Sequence, residues 1–579
     1  MILKLKKIFN VNFFFSTILV PVAVLTIYCS SFAYFSSRLG LEGVNYYFAG
    51  KLEDYAVVTT VAASLFFCTL LVRGEGGKLT LKYSPEKFYL DDLFLLLLPL
   101  TPVVQYILNN RVTLSPADFF YTAVLFTLFS GFFIFAVPAL FGALVPDRIL
   151  VALGVAFTFT LAAMASASDQ FSWFEKGVFW IQLSFFSVVF LAVWSLYKLK
   201  AKWLLYIFIL ANLVVNSLTQ LLSQPVAAAD QSAPFEGNKL LSLVEGKTPV
   251  ATPNIYLLVY DAYVPNETTL GYGIDNSAQE EYLAAQGFVL YPHTYSVGAA
   301  TIPTMSSVLN ASTDYYGNER RAVSGDGVTQ NILRDIGYKT FGVFWADYFF
   351  SGYGVNYDYS FPENSTPPYV KLLKAIFLGE FRFDIEDVGY RDMTRDQFLE
   401  TKRDFFEEVS STQGFIYMHT DVPAHSQNSG ACLPNETELF EERLEAANIE
   451  MKQDVDLILE RDPDAIVIIA GDHGPYLTKN CYETTNDISE ITRLDIQDRH
   501  GTFLAVRWPA EGFEEYDDIV VLQDLFPAVF SYIYKDEMIL NAKIDPIITA
   551  PYATSGASVD NGIIVGGVND GEFLYLFGR

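Results

Sequence analysis

Up to about Leu222 the chain is a succession of long apolar runs separated by short polar loops. Beyond that point short apolar runs alternate with mixed segments, the pattern of an α/β protein. Seven runs in the first part predict membrane-spanning helices: Phe13–Phe35, Tyr55–Val72, Leu93–Leu108, Phe119–Leu144, Ile149–Ala167, Val178–Tyr197 and Trp203–Leu222. A helix needs roughly 20 apolar residues to cross the hydrocarbon core, so the third is the shortest candidate. Residues 223–250, rich in Ala, Pro, Ser and Gly, read as a linker, and residues 251–579 as the globular domain.

Basic residues orient the first part. Lys4, Lys6 and Lys7 precede the first run; Arg73, Lys78, Lys82 and Lys87 follow the second, Arg148 the fourth, and Lys198, Lys200 and Lys202 the sixth. Alternate loops hold only Arg38, Lys51, Arg111 and Lys176. This alternation requires all seven spans and a cytoplasmic start, which places the globular domain outside the cytoplasm. An even number of spans would reverse that conclusion. The first run is long and lacks a small-residue cleavage site, so it reads as a retained helix. The run interiors hold almost no ionisable residues, which points to an anchor rather than an ion or proton path.

In the globular part three apolar runs each end in an acidic residue: Ile255 to Asp261, Phe415 to Asp421, and Ala465 to Asp472. Buried strands followed at once by ligand-type side chains are how α/β proteins assemble sites at the carboxyl edge of a sheet. The chain has only five histidines. Asp421 and His425 lie four apart, Asp472 is followed by His473 and Gly474, and His500 precedes a further predicted strand. Singly, each reads first as a satisfied histidine of surface or core. Jointly they form an O/N donor set suited to zinc. After a predicted helix near Asn276–Gln286, a small-residue approach leads to Thr301-Ile-Pro303 and then a helical apolar spacing. A hydroxyl at a helix entry meets free backbone N–H groups and the positive end of the macrodipole.

Charge changes which partners are admissible. Of 38 basic and 66 acidic residues, 15 and 11 lie in residues 1–224, leaving 23 and 55, a formal −32, for the remainder. That balance excludes nucleic acid, which requires basic surface.

These residues are similar to the alkaline phosphatase superfamily, which includes sulfatases, phosphodiesterases and membrane phosphoethanolamine or phosphoglycerol transferases. The resemblance covers roughly residues 250–579 and rests on Pro253 to Asp261, Thr301-Ile-Pro303, Asp472-His473-Gly474 and Asp421-x-x-x-His425. It implies a three-layer sandwich around a mostly parallel sheet, with a threonine nucleophile. It also implies two divalent ions, zinc by donor type: one on Asp261, Thr301, Asp472 and His473, the other on Asp421, His425 and His500. The separation of His500 from Asp472 is shorter than in the diesterase branch. Formylglycine sulfatases place Cys or Ser at the nucleophile and Arg four residues on. Here those positions hold Thr301 and Met305, which disfavours sulfate-ester chemistry.

His419, two residues before Asp421, would share that ligand's face in a strand and is a candidate substrate contact or a packing residue. Asn310 is a candidate phosphoryl-oxygen contact or a helix-surface amide. Cys432 and Cys481 follow His425 and His473 by seven and eight residues, so convergence of those ligands would bring the thiols close enough for a disulfide in an oxidising compartment. A site tethered beside a bilayer implies a lipid-borne substrate. The expected activity is movement of a phosphoethanolamine or phosphoglycerol head group to a surface glycan or lipid, with hydrolysis as the alternative. A non-catalytic binding or scaffold protein with a vestigial site is the alternative of another class.

Overall fold

A computed structural model describes residues 90–109, 116–136, 147–170, 179–222, 234–351, 353–372, 392–426, 435–479 and 486–576. The first two predicted spans and both Cys432 and Cys481 lie outside these residues. The chain forms two compact units: Met1–Pro225 with Pro367–Gly389, and Val226–Thr366 with Tyr390–Arg579.

The described residues of the first unit are helical. A 3-10 turn over Leu90–Leu96 leads into α1 (Leu97–Asn109), followed by α2 (Pro116–Gly131) with a π-helical turn to Ala136. Then come α3 (Asp147–Gln170), α4 (Phe179–Lys198) and α5 (Lys202–Leu222), so helices stand at the last five predicted spans. Two stretches among the described residues are long and apolar enough to cross a membrane, Pro116–Phe135 and Ile181–Lys198. Leu372, from the excursion through Pro367–Gly389, is buried with Val103, Ile107 and Phe126. That return into the helical unit was not visible in the sequence, because the segment has no long apolar run.

The second unit is built on a seven-stranded sheet. Its strands are β1 (Ile255–Tyr260), β2 (Val289–Leu290), β3 (Lys339–Phe344), β4 (Tyr359–Phe361), β5 (Gly414–Thr420), β6 (Ile466–Ala470) and β7 (Leu504–Arg507), in spatial order β2-β7-β6-β1-β5-β3-β4. β6, β1, β5, β3 and β4 run parallel, and β7 is antiparallel to both its neighbours. β1 and β6 are apolar throughout because both faces are covered. Ile255, Leu257 and Val259 of β1 pack with α7 (Thr301–Asn310), α8 (Val328–Asp335) and α12 (Leu525–Tyr534). Tyr256, Leu258 and Tyr260 face α9 (Arg395–Ser410) and α10 (Glu436–Arg461). Three layers result, as expected. The predicted helix near Asn276–Gln286 is α6 (Ser277–Ala285). α11 (Arg493–His500) leads into β7, and a β8–β9 hairpin (Ser558–Asp560, Ile563–Val565) follows near the end.

The predicted linker is not all linker. Lys239–Val244 is a short helix whose Leu240 and Val244, four residues apart, are buried in the core of the second unit. One apolar pair at helical spacing is enough to dock it.

Register places the site. Val259 pairs with His419 on one side and Ala470 on the other, so β1, β5 and β6 end side by side. Asp261, Asp421 and Asp472 therefore emerge together at the carboxyl edge, where β1 is flanked by both neighbours.

Candidate metal and phosphoryl-transfer site

Asp261, Asp472 and His473 each offer a ligand atom, and these atoms lie within 4.8 Å of one another. His473 Nε2 is 3.4 Å from Asp472 Oδ2 and 3.7 Å from Asp261 Oδ1. Thr301, the first residue of α7, holds its Oγ1 3.1 Å from the same Nε2. Residues from three separate stretches of sequence thus meet at one point.

The donor atoms are arranged for a cation. His473 Nδ1 donates to the Gly474 carbonyl at 2.8 Å, which leaves Nε2 as the lone-pair nitrogen facing two carboxylate oxygens. Asp261 Oδ1 and Asp472 Oδ2 are buried with no hydrogen-bond donor. Carboxylate oxygens and an imidazole lone pair facing one another are offset by a shared proton or by a small divalent ion, so the residues fit one. Asp472 Oδ1 is anchored by the N–H groups of Ala262 (2.9 Å) and His473 (3.0 Å), which aims Oδ2 inward. His425 and His500 follow the same rule. His425 Nδ1 donates to the Ser426 carbonyl; His500 Nδ1 donates to the Ser296 and Gly298 carbonyls, and its Nε2 is buried and unmatched.

Titration follows from burial. Burial pushes the Asp261 carboxyl well up, and the Asp472 and Asp421 charges push it further. Burial also works against the Asp472 carboxylate, yet His473, His419 and the Ala262 N–H outweigh it and hold Asp472 below its usual range. One proton shared unequally between two neighbouring carboxyls is the expected state of such a pair. Burial lowers His473, and lowers His425 and His500 to about 4, with the Arg499 charge adding to each. Neutral imidazoles are the form that binds metal.

Close backbone approach brings the pieces together. A methyl on Gly471 would lie 1.8 Å from the Tyr263 carbonyl oxygen, and one on Gly474 2.1 Å from that of Asp498. Gly474 has no left-handed φ, so its role is this contact. Left-handed backbone instead falls on Ala262, Ala424 and Tyr476, each at φ 60° and each beside a candidate ligand. Strain of this kind clusters at functional sites.

Several expectations need correction. Asp421 does not join His425 and His500 in a second cluster among the described residues. Its carboxylate is paired with Arg395, which also pairs with Glu450, and Lys402 bonds Glu450 and Asp454 behind it. His425 lies nearer the first cluster, its ring 5.8 Å from that of His473. Asp421 lies just beyond β5, which ends at Thr420, and its side chain is partly exposed whereas His419 is not. His419 is fully buried beside Phe349 and Tyr417, with Nε2 3.4 Å from Asp472 Oδ2, so it braces that carboxylate and has no surface for substrate. Asn310 ends α7, nine residues and roughly 13 Å of helix from Thr301. Its amide bonds the Asp314 carbonyl and the Val328 N–H, which makes it structural.

Sequence reasoning passed over Tyr476 and Arg499. The Tyr476 ring stacks on His473 (4.9 Å) and His425 (5.0 Å), and its hydroxyl donates to the Ala299 carbonyl at 2.6 Å. Arg499 lies over that ring. The only available signal was position: three residues after His473 and one before His500.

Fold and site together define an α/β protein with a buried carboxylate–imidazole cluster beside a threonine at a helix entry. No family model matches the chain, and no curated protein matches it. Solved structures it is similar to include the integral membrane lipooligosaccharide phosphoethanolamine transferase A from Neisseria meningitidis. That match has 14% identity and a TM-score of 0.36, covering 76% of this chain and 95% of that one. The zinc complex of the C-terminal periplasmic domain of EptC from Escherichia coli matches at 14% identity and TM-score 0.34, over 55% and 93%. An alkaline phosphatase superfamily protein from Vibrio parahaemolyticus matches at 13% identity and TM-score 0.35, over 58% and 87%. At these scores the likeness carries no functional weight, which rests on the site's own geometry.

Proposed function

We propose that this chain is a membrane-anchored, metal-dependent enzyme that moves a phosphoryl-linked group through Thr301, outside the cytoplasm, from a lipid-borne donor. The observation that carries the reading is the contact of Thr301 Oγ1 with His473 Nε2 beside two carboxylates whose facing oxygens lack donors.

Asp261, Asp472 and His473 would hold the ion, with Thr301 within reach; zinc suits this O/N set. A bound dication supplies Lewis acidity, which lowers the pKa of a nearby alcohol and offsets charge on phosphoryl oxygens. The chain's own residues do the rest. The Thr301 hydroxyl donates to His473 Nε2 only where no ion would take that lone pair; the 3.1 Å contact sets the threonine oxygen beside the ligand atoms, oriented for attack. The first turn of α7 presents N–H groups and dipole to an oxyanion at Thr301. His500 and Tyr476 both grip the 296–300 segment, through Ser296, Gly298 and Ala299, and so hold Thr301 in place. Met305 is fully buried in the core, so no cation stands where formylglycine sulfatases carry arginine. His425 and His500 remain the candidates for a second ion, decided by stoichiometry. Apolar helix α4 supports the membrane reading: Val188 and Leu191 are exposed in the isolated chain, as suits a lipid-facing surface.

The test uses full-length protein in lipid-containing detergent with zinc and phospholipid labelled in its head group. Intact-mass analysis of the Thr301 peptide should show an adduct with the mass of the transferred group. Thr301→Ala should lose adduct and turnover while keeping its bound metal. Full turnover by that variant removes the nucleophile, and protein with no affinity for divalent ions removes the cation. Label found only in water-soluble product assigns hydrolysis in place of transfer.

A further inference from the structure

The segment from Gly474 to Tyr476 and the last turn of α11 form one locked piece. The Gly474 N–H donates to the Arg499 carbonyl at 3.2 Å and the Tyr476 N–H to the Asp498 carbonyl at 3.3 Å. The missing side chain at Gly474 permits that approach. Arg499 is therefore fixed relative to His473 by main-chain bonds, and relative to Thr301 through the Tyr476 hydroxyl on Ala299.

The guanidinium carbon of Arg499 lies 3.8 Å from the Tyr476 ring centroid. Stacking on an aromatic face holds the planar group in one orientation while leaving its edge donors to other partners. Its Nε is buried and has no acceptor. The adjacent carboxylate is committed elsewhere: Asp498 Oδ1 accepts from the Tyr272 hydroxyl and the Leu477 N–H, and Oδ2 from the Thr478 N–H and hydroxyl. Among the described residues no carboxylate pairs with Arg499. The ring it lies on also stacks on His473 and His425, so the guanidinium sits beside the site. A permanent cation held there without a countercharge is unfavourable for the resting protein unless it meets an anion. Leaving a buried guanidinium donor unmatched is unfavourable.

We infer that Arg499, laid flat on Tyr476, is the oxyanion receptor of the site and binds a non-bridging oxygen of the phosphate group presented to Thr301. Guanidinium recognises phosphate through two parallel N–H···O bonds, which lysine or glutamine at the same place cannot make. This rests on the phosphoryl-transfer reading and adds to it a residue that touches the substrate without being a metal ligand.

The experiment titrates inorganic phosphate, by calorimetry, into the zinc-loaded full chain in detergent, comparing wild type with Arg499→Gln and Arg499→Lys. Expected is a roughly ten- to hundredfold weaker affinity for Arg499→Gln and a smaller loss for Arg499→Lys, with zinc stoichiometry and Tm unchanged. Arg499→Lys keeps the charge, so it decides the matter if the glutamine variant does not fold. Phosphate affinity equal to wild type in the folded variants overturns the inference. A second arm measures KM for phosphatidylethanolamine in mixed micelles. A parallel rise in KM assigns the receptor to the lipid's phosphate as well, and an unchanged KM restricts it to free phosphate. Failure here is separable from failure of the underlying reading. Wild type that binds phosphate indifferently to Arg499 leaves Thr301 chemistry intact, whereas wild type with neither phosphate affinity nor phosphoester turnover ends both.

Discussion

Substituting Asp472 separates its structural work from its chemical work, because its two oxygens do different things. Oδ1 accepts two buried backbone N–H groups, at 2.9 and 3.0 Å, while Oδ2 meets only imidazole nitrogens. Asp472→Ala strands both N–H groups. At about 1–3 kcal/mol for each unmet buried donor, the loss is about 2–6 kcal/mol. For a domain of this size, at about 2 °C per kcal/mol, Tm falls by about 4–12 °C. Asp472→Asn behaves differently. Its amide oxygen still serves both N–H groups, and its NH2 replaces the oxygen that opposed the His473 Nε2 lone pair. The metal-free Asn variant should therefore match or exceed wild type in Tm, while its zinc affinity falls by about a hundredfold or more, beyond the 10–100-fold typical of lost outer-shell partners. Thermal scans with and without chelator, paired with zinc titration, measure both quantities. If Asp472→Asn lowers the metal-free Tm as far as Asp472→Ala and leaves zinc binding intact, the claim that Oδ2 faces a cation is refuted.

Two other outcomes follow from the same geometry. Gly474→Ala drives a methyl against the Asp498 carbonyl, backbone on both sides, and should destabilise by about 1–3 kcal/mol or more and weaken zinc binding together; a variant with unaltered Tm would show the approach to be loose. Burial, with Arg499 adding to it, holds His500 near 4, whereas the unfolded chain protonates near 6.5. The stability this contributes is complete above about pH 6.5 and lost as pH falls towards 4, at most about 3 kcal/mol. Asp261, raised by burial and Asp472, acts in the opposite sense, so the comparison of wild type with His500→Gln isolates the histidine. Tm of the metal-free protein should fall between pH 6.5 and 4, and less steeply in the variant; identical slopes would remove His500 from the account.

Much of the second unit could be read from the chain alone, for a local reason. Apolar runs of five to seven residues with no polar face become parallel strands buried on both sides, and a ligand-type residue at the end of such a run emerges at the sheet edge wherever the strand is placed. That is why Asp261, Asp472, His473 and Thr301 were identifiable: each sits where a strand stops or a helix starts. Helices likewise stand at the predicted spans from Leu93 onward, since long uniform apolarity is a property of the segment itself.

Competition between partners distant in the chain was not legible. Asp421 has the spacing of a ligand, but Arg395, 26 residues earlier on α9, reaches it across the layers. His419 shows the right residue type one strand step from an acid, yet β5 is central in the sheet and buries it completely. Asn310 follows Thr301 closely in sequence and lies at the other end of the same helix. Tyr476 and Arg499 carry no recognisable spacing; the contact at Gly474 between two chain segments creates their platform. Residue types and periodicity determine which groups reach the edge of the sheet, because those are short-range properties of the backbone. Which of them share a proton, a cation or a countercharge is decided by tertiary packing, where ångström-scale distances between segments such as Thr301 and His473, 172 residues apart, set the electrostatics.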